Sequence, residues 1–156
     1  MCSKNDPDYF ATDLLSDVLS TGKSSRLHSS LIKEQKLFSE INAFISGSFD
    51  EGLFTISGKL IDGVTFESAE KAIIKELNLI KTELVNDNEL LKVKNKIEST
   101  TIFGEMSVLN KAMGLGYFEL LGDASMINEE EAKFHEIIPD DLLNEASTLF
   151  QESNCS

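Results

Sequence analysis

The chain has no tryptophan, and among its 156 residues only two cysteines, two prolines and two histidines. Each shortage excludes something. Without Trp, core packing falls to Leu, Ile and ten Phe. Cys2 and Cys155 stand at opposite ends in no metal-ligand spacing, so a disulfide framework is excluded and a reduced compartment is expected. Basic side chains are also scarce: 14 Lys and Arg face 27 Asp and Glu, a formal charge of −13. That field repels phosphate backbones and anionic headgroups, which argues against nucleic-acid and membrane-surface roles. No apolar run approaches the length of about 18 residues that a spanning helix needs, and residues 1–7 lack the apolar stretch of a secretory leader. The cytoplasm is the expected compartment, with the periplasm as the alternative.

What is present fits one α+β domain over residues 1–156. Asp6-Pro7-Asp8 reads as a helix start, and Leu14, Leu15, Val18 and Leu19 follow as an apolar stripe. Thr21-Gly22-Lys23-Ser24-Ser25 breaks that helix. A second one carries Leu27, Leu31 and either Ile32 or Gln35 on one face. From Phe38 the period becomes two. Ile41, Ala43, Ile45 and Phe49 alternate with Glu40, Asn42, Ser46 and Ser48, and beyond Asp50-Glu51-Gly52 a second strand places Phe54, Ile56, Gly58 and Leu60 inward. This predicts an antiparallel hairpin with one buried face, its turn using Gly52 for a positive φ.

Helices resume after it. Thr65 is the expected N-cap of a stripe through Phe66, Ala69, Ile73, Leu77, Ile80 and Leu84. Asn86 and Glu89 have capping-box spacing ahead of a long helical pattern reaching Phe118 and Leu121, with a bend or break expected near Gly104, Gly114 and Gly116 and a stop at Gly122. Asn128 and Glu131 repeat the capping spacing ahead of Phe134 and Ile137, and a last helix after Pro139 turns Leu142, Leu143, Ala146, Leu149 and Phe150 inward.

The chain encodes no self-contained active site. Gly22-Lys23-Ser24 lacks the glycine a phosphate-binding loop needs five positions earlier, where Asp17 stands, and it follows a helix rather than a strand. Gly114-Leu115-Gly116 has neither a preceding strand nor the third glycine of a dinucleotide fingerprint. His28 and His135 belong to no helix motif of two histidines and an acid, Asp87-Asn88-Glu89 lacks the mid-loop glycine of a calcium loop, and Glu129-Glu130-Glu131 is explained as compensation of a helix dipole. No Ser or Lys has a placed base. Neither catalytic nor metal-ligating residues are therefore expected.

Read in order, the segments resemble the C-terminal half-domain of zinc metallopeptidases of the pitrilysin, insulin-degrading and mitochondrial-processing family, the inverzincins. Asp8-Tyr9 through Leu19 is similar to that half-domain's first helix, Thr21 to Leu27 to its Gly-x-Ser-Ser-Arg-Leu turn, and Leu31 to Leu37 to the charged helix end before its inner strand. Gly52 to Ile56 resembles its second strand, and Glu89 to Lys96 its "Glu-Leu…Lys…Lys-Asn" helix start. Asn110-Lys111-Ala112 with Tyr117 to Asp123 resembles bacterial members.

The resemblance implies a role. Family members carry H-x-x-E-H and a downstream Glu in an N-terminal half, where the zinc sits, and none of that motif is in this chain. It thus implies a half-domain without a cofactor of its own, with end strands trimmed, that closes over peptide with the N-terminal half or with a partner subunit. Active relatives hold substrate with an Arg and a Tyr seven residues apart, and here those positions are Ile32 and Ser39. The residues expected to meet peptide are Ile32 together with Ser39, Glu40, Asn42 and Ser46 of the inner strand, residues 39–48, where an extended peptide could also pair through its backbone. The loss of the Arg/Tyr pair favours the alternative, a catalytically inactive partner subunit or interaction module of the same fold.

Overall fold

The computed structural model describes residues 1–47 and 49–155. Helix α1, Tyr9–Ser20, leads to a π-helical segment, His28–Glu34, and then to strands β1, Phe38–Ser46, and β2, Leu53–Leu60. Five helices follow: α2, Phe66–Ile80; α3, Asp87–Glu105; α4, Val108–Leu121; α5, Glu130–Glu136; and α6, Pro139–Leu149. Short 3-10 turns at Ala124–Asn128 and Glu152–Asn154 complete the order. Among the described residues the sheet is the antiparallel pair β1–β2 alone. This is the α+β hairpin-and-helices arrangement that the periodicities predict.

The core is organised around α1. Its stripe Leu14, Leu15, Val18 and Leu19 is buried, but so are Phe10, Ala11, Thr12 and Ser16, so the helix is covered nearly all round. Leu27, Leu31, Phe38, Ile41 and Ala43 close one side, while Leu90 and Val93 of α3 and Leu142 and Ala146 of α6 close the others. Removing a fully buried leucine such as Leu15 leaves a cavity surrounded on every side, a loss of about 3–5 kcal/mol.

Several local expectations are corrected. The second helix is π-helical, closed where the Gln35 N–H donates to the Ser30 carbonyl five residues back (2.9 Å), and Lys36 then turns the chain at φ 53. Left-handed backbone at a lysine is strained, and it sets the sharp entry into β1. Phe49 lies past the end of β1, half-exposed, with its ring edge-on to Tyr117 at 5.7 Å. Ser48, assigned to the strand by alternation, falls outside the described residues. Gly52 does not have a positive φ. What it supplies is room: a Cβ there would sit 1.5 Å from the Ser46 carbonyl oxygen, so the turn closes only over a residue without a side chain.

The α2 stripe is narrower than its pattern. Thr65 caps the helix, its hydroxyl accepting from the Ser68 N–H (3.3 Å), but Phe66 is 85% exposed and Leu84 is also exposed. The buried positions of α2 are Ala69, Ala72, Glu76 and Ile80. Asn86 accepts from the Asn88 N–H rather than forming the expected box with Glu89. The long helical pattern breaks at Met106–Ser107, where the Ser107 hydroxyl caps α4 by accepting from the Asn110 N–H (3.3 Å). Gly114 and Gly116 stay helical within α4, and Gly122 ends it at φ 136. Asn128 belongs to the 3-10 turn, and Glu129 precedes α5 without a side-chain cap.

Candidate functional site

The exposed side of β1 carries four of the five residues singled out from the sequence. The register pairs Glu40 with Lys59, Asn42 with Ser57 and Ser46 with Leu53. Between Phe38 and Glu40 the register shifts, and Ser39 is the extra residue. All four side chains are exposed, and their hydrogen bonds stay within the hairpin. The Ser39 hydroxyl donates to the Lys59 carbonyl (3.1 Å), Asn42 Nδ2 to Glu40 Oε1 (3.1 Å), and the Ser46 hydroxyl to the Leu53 carbonyl (3.3 Å). Ile32 is placed apart from them, on the π-helical segment, half-buried against the core.

Phe44 joins this face at 46% exposure. Its signal in the sequence is an apolar residue out of phase with Ile41, Ala43 and Ile45. The inward side of β1 is fixed by α1, whose Ser20 hydroxyl donates to the Ala43 carbonyl (2.8 Å), so that carbonyl is already taken. Lys36, the strained residue, and the π-helical turn hold the other end of the strand to the helix before it.

The loop ahead of the π-helical segment is anchored from a distance. Arg26 grips Glu89 at the start of α3 through two bonds, Nε to Oε1 at 3.2 Å and Nη2 to Oε2 at 3.0 Å. Two segments 63 residues apart in sequence are thereby joined by a half-buried fork.

A cleft of about 760 Å³ opens between the N-terminal segment, α5 and α6. Several of its charged groups are already engaged: Lys4 pairs with Glu130 and lies over the Tyr9 ring, and Glu145 accepts from the Thr12 hydroxyl (2.6 Å). Burial raises the Glu145 carboxyl above its ordinary value, and the Thr12 bond partly offsets this. The Thr12 hydroxyl that meets Glu145 is itself fully buried, so the pair is a packed contact rather than an open nucleophile with its base.

The zinc set of H-x-x-E-H enzymes does not fit this chain, because His28 and His135 lie on separate elements and no second histidine is within a helical turn of either. His28 Nδ1 is buried without a hydrogen-bond partner among the described residues. His135 has a different setting that its sequence neighbours do not announce. Its imidazole meets Glu131 of α5 and Glu98 of α3, with ligand atoms of all three within 4.8 Å of one another.

Comparison with known proteins agrees with this fold. No curated protein matches the chain by sequence. Among solved structures, a protease from Helicobacter pylori superposes with a TM-score of 0.90 at 24% identity, over 99% of this chain and 37% of its own. The inactive peptidase domain of a candidate zinc protease from Bordetella parapertussis gives 0.89 at 20% identity, over 99% of this chain and 82% of its own. A chain of Complex III2 from Candida albicans gives 0.78 at 16% identity, over 94% of this chain and 37% of its own. These likenesses establish the fold, and this chain spans little more than a third of the first and third of them. The family model described as the peptidase M16 inactive domain matches residues 1–97, more than half of the sequence, and includes the Gly-x-Ser-Ser-Arg-Leu turn, the hairpin and the Glu89 helix start. The chain belongs to the M16 peptidase inactive-domain family.

Proposed function

We propose that this chain is the non-catalytic half of a zinc metallopeptidase, closing over peptide that is cut by an N-terminal half holding the zinc, in the same polypeptide or in a partner subunit. The single observation that carries the peptide-facing role is the exposed side of β1, where Glu40, Asn42, Phe44 and Ser46 stand in register with hydrogen bonds only inside the hairpin. Donors, acceptors and an apolar ring at strand spacing suit an extended peptide, which presents alternate side chains to such a surface. Ser39 lies at the entry to that surface and Ile32 supports it from the helix side. Docking against another half or subunit is supported by the apolar side chains exposed at the α3–α4 elbow, Phe103, Met106, Val108 and Leu109. We assign the cytoplasm as the compartment, on the unpaired cysteines Cys2 and Cys155.

The test is photo-cross-linking in the full-length protein with a reactive side chain at Asn42 and, as control, at Glu70 on the exposed side of α2. Peptide substrate should label the Asn42 position and spare Glu70, and the isolated chain should leave a fluorogenic peptide intact. Equal labelling at both positions would remove β1 from the peptide path.

A second reading, a catalytically inactive partner subunit, is favoured by Ile32 and Ser39 at the substrate-holding positions and by the likeness to a chain of Complex III2. Under it, co-purification would recover a second chain carrying H-x-x-E-H.

A further inference from the structure

We propose that Glu98, Glu131 and His135 form a divalent-metal site that clamps α5 onto α3. Glu131 and His135 are four residues apart on α5, so both side chains leave the same face of the helix, and Glu98 faces them from α3. The His135 Nε2 to Glu131 Oε1 distance is 3.9 Å, and one ligand atom from each of the three lies within 4.8 Å of the others. Rotation of three partly or fully exposed side chains brings such a set onto one ion.

Two further observations point to a cation. Glu98 has no hydrogen bond or ion pair among the described residues, and Glu131 meets no partner there except His135. Two carboxylates from different helices thus face each other without a Lys or Arg between them, in a chain of charge −13. A bound cation would neutralise both carboxylates at once, which the nearby Lys94 ammonium, spent on the His135 and Ile137 carbonyls, does not. The backbone beneath is also held. Lys94, one turn before Glu98 on α3, donates to the His135 carbonyl (2.8 Å) and the Ile137 carbonyl (2.6 Å), which fixes the end of α5 against α3 before any ion arrives.

The donor set selects the ion. One imidazole nitrogen with two carboxylates suits zinc and its first-row neighbours, whereas calcium and magnesium take oxygen alone. With three protein ligands, a zinc ion there keeps one position for water, and its two positive charges balance the two carboxylates.

Isothermal titration of the 156-residue chain with zinc chloride, and separately with calcium chloride, tests this. Zinc should bind once per chain and raise the thermal midpoint, and calcium should do neither at the same concentration. Glu98→Gln and His135→Ala should each weaken zinc binding at least about tenfold, while Glu70→Gln, the same charge change on α2, leaves it unchanged. His135→Gln takes the place of His135→Ala if circular dichroism shows the latter unfolded. No zinc binding would overturn the site, and an affinity that both site substitutions leave intact would overturn it too, by assigning the bound zinc to the acidic surface at large.

Discussion

Replacing Asp13 by Asn should stabilise the protein at neutral pH and much less in mild acid. Asp13 lies on α1 beside the fully buried Leu14, and burial pushes its carboxyl from an ordinary 3.8 up to about 6. The carboxylates of Asp17, one turn on, and Glu130 add to the rise, and the Lys4 ammonium offsets part of it. An acid whose folded pKa is raised contributes stability that is fully present below its unfolded value, and this is lost as pH climbs through the folded one. The loss therefore runs from about pH 4 to about pH 6. At pH 7 the ionised carboxyl costs the folded chain about 3 kcal/mol, from two powers of ten at about 1.4 kcal/mol each. At pH 4.5 the same arithmetic leaves about 1 kcal/mol. No hydrogen bond to the Asp13 carboxyl needs replacing, since Ser16 bonds its backbone carbonyl instead. Lost attraction to Lys4 trims the gain, so urea unfolding should find Asp13→Asn more stable by about 1–3 kcal/mol at pH 7 with m unchanged. A gain that does not shrink between pH 7 and pH 4.5, or a loss at pH 7, would refute the assignment of Asp13 as a destabilising buried charge.

The remaining predictions concern the frame of the β1 surface. A double-mutant cycle on Arg26→Ala and Glu89→Ala should return a coupling of about 1–2 kcal/mol, above the value for an exposed pair, because both side chains are about one-fifth exposed and the bond is a fork. Arg26→Lys should lose a large share of it, and a coupling near zero by chemical denaturation would count against the fork as the loop's anchor. Gly52→Ala should cost at least about 2 kcal/mol and shift backbone amide resonances from Ser46 to Leu53, since the new Cβ meets the Ser46 carbonyl. A melting temperature equal to wild type would show that the turn opens without cost.

How much of this was legible before folding differs from element to element, and the differences have physical causes. The α1 stripe, the β1–β2 alternation, the Thr65 cap and the Gly122 stop are properties of neighbouring residues: periodicity, a hydroxyl at the right offset, a glycine free to take φ 136. The sequence by itself therefore determined the element order, the α+β class and, through the ordered segments, membership of the family. Tertiary structure decided the rest. Phe66 continues a helical stripe in sequence yet stays exposed, because α2 is covered over only part of its length, and Leu84 lies past the end of that helix at Ile80. The Arg26–Glu89 fork and the meeting of Glu98 with Glu131 and His135 join segments tens of residues apart. No local pattern encodes such pairs, since the distance between two side chains on different helices is set by how the core packs between them.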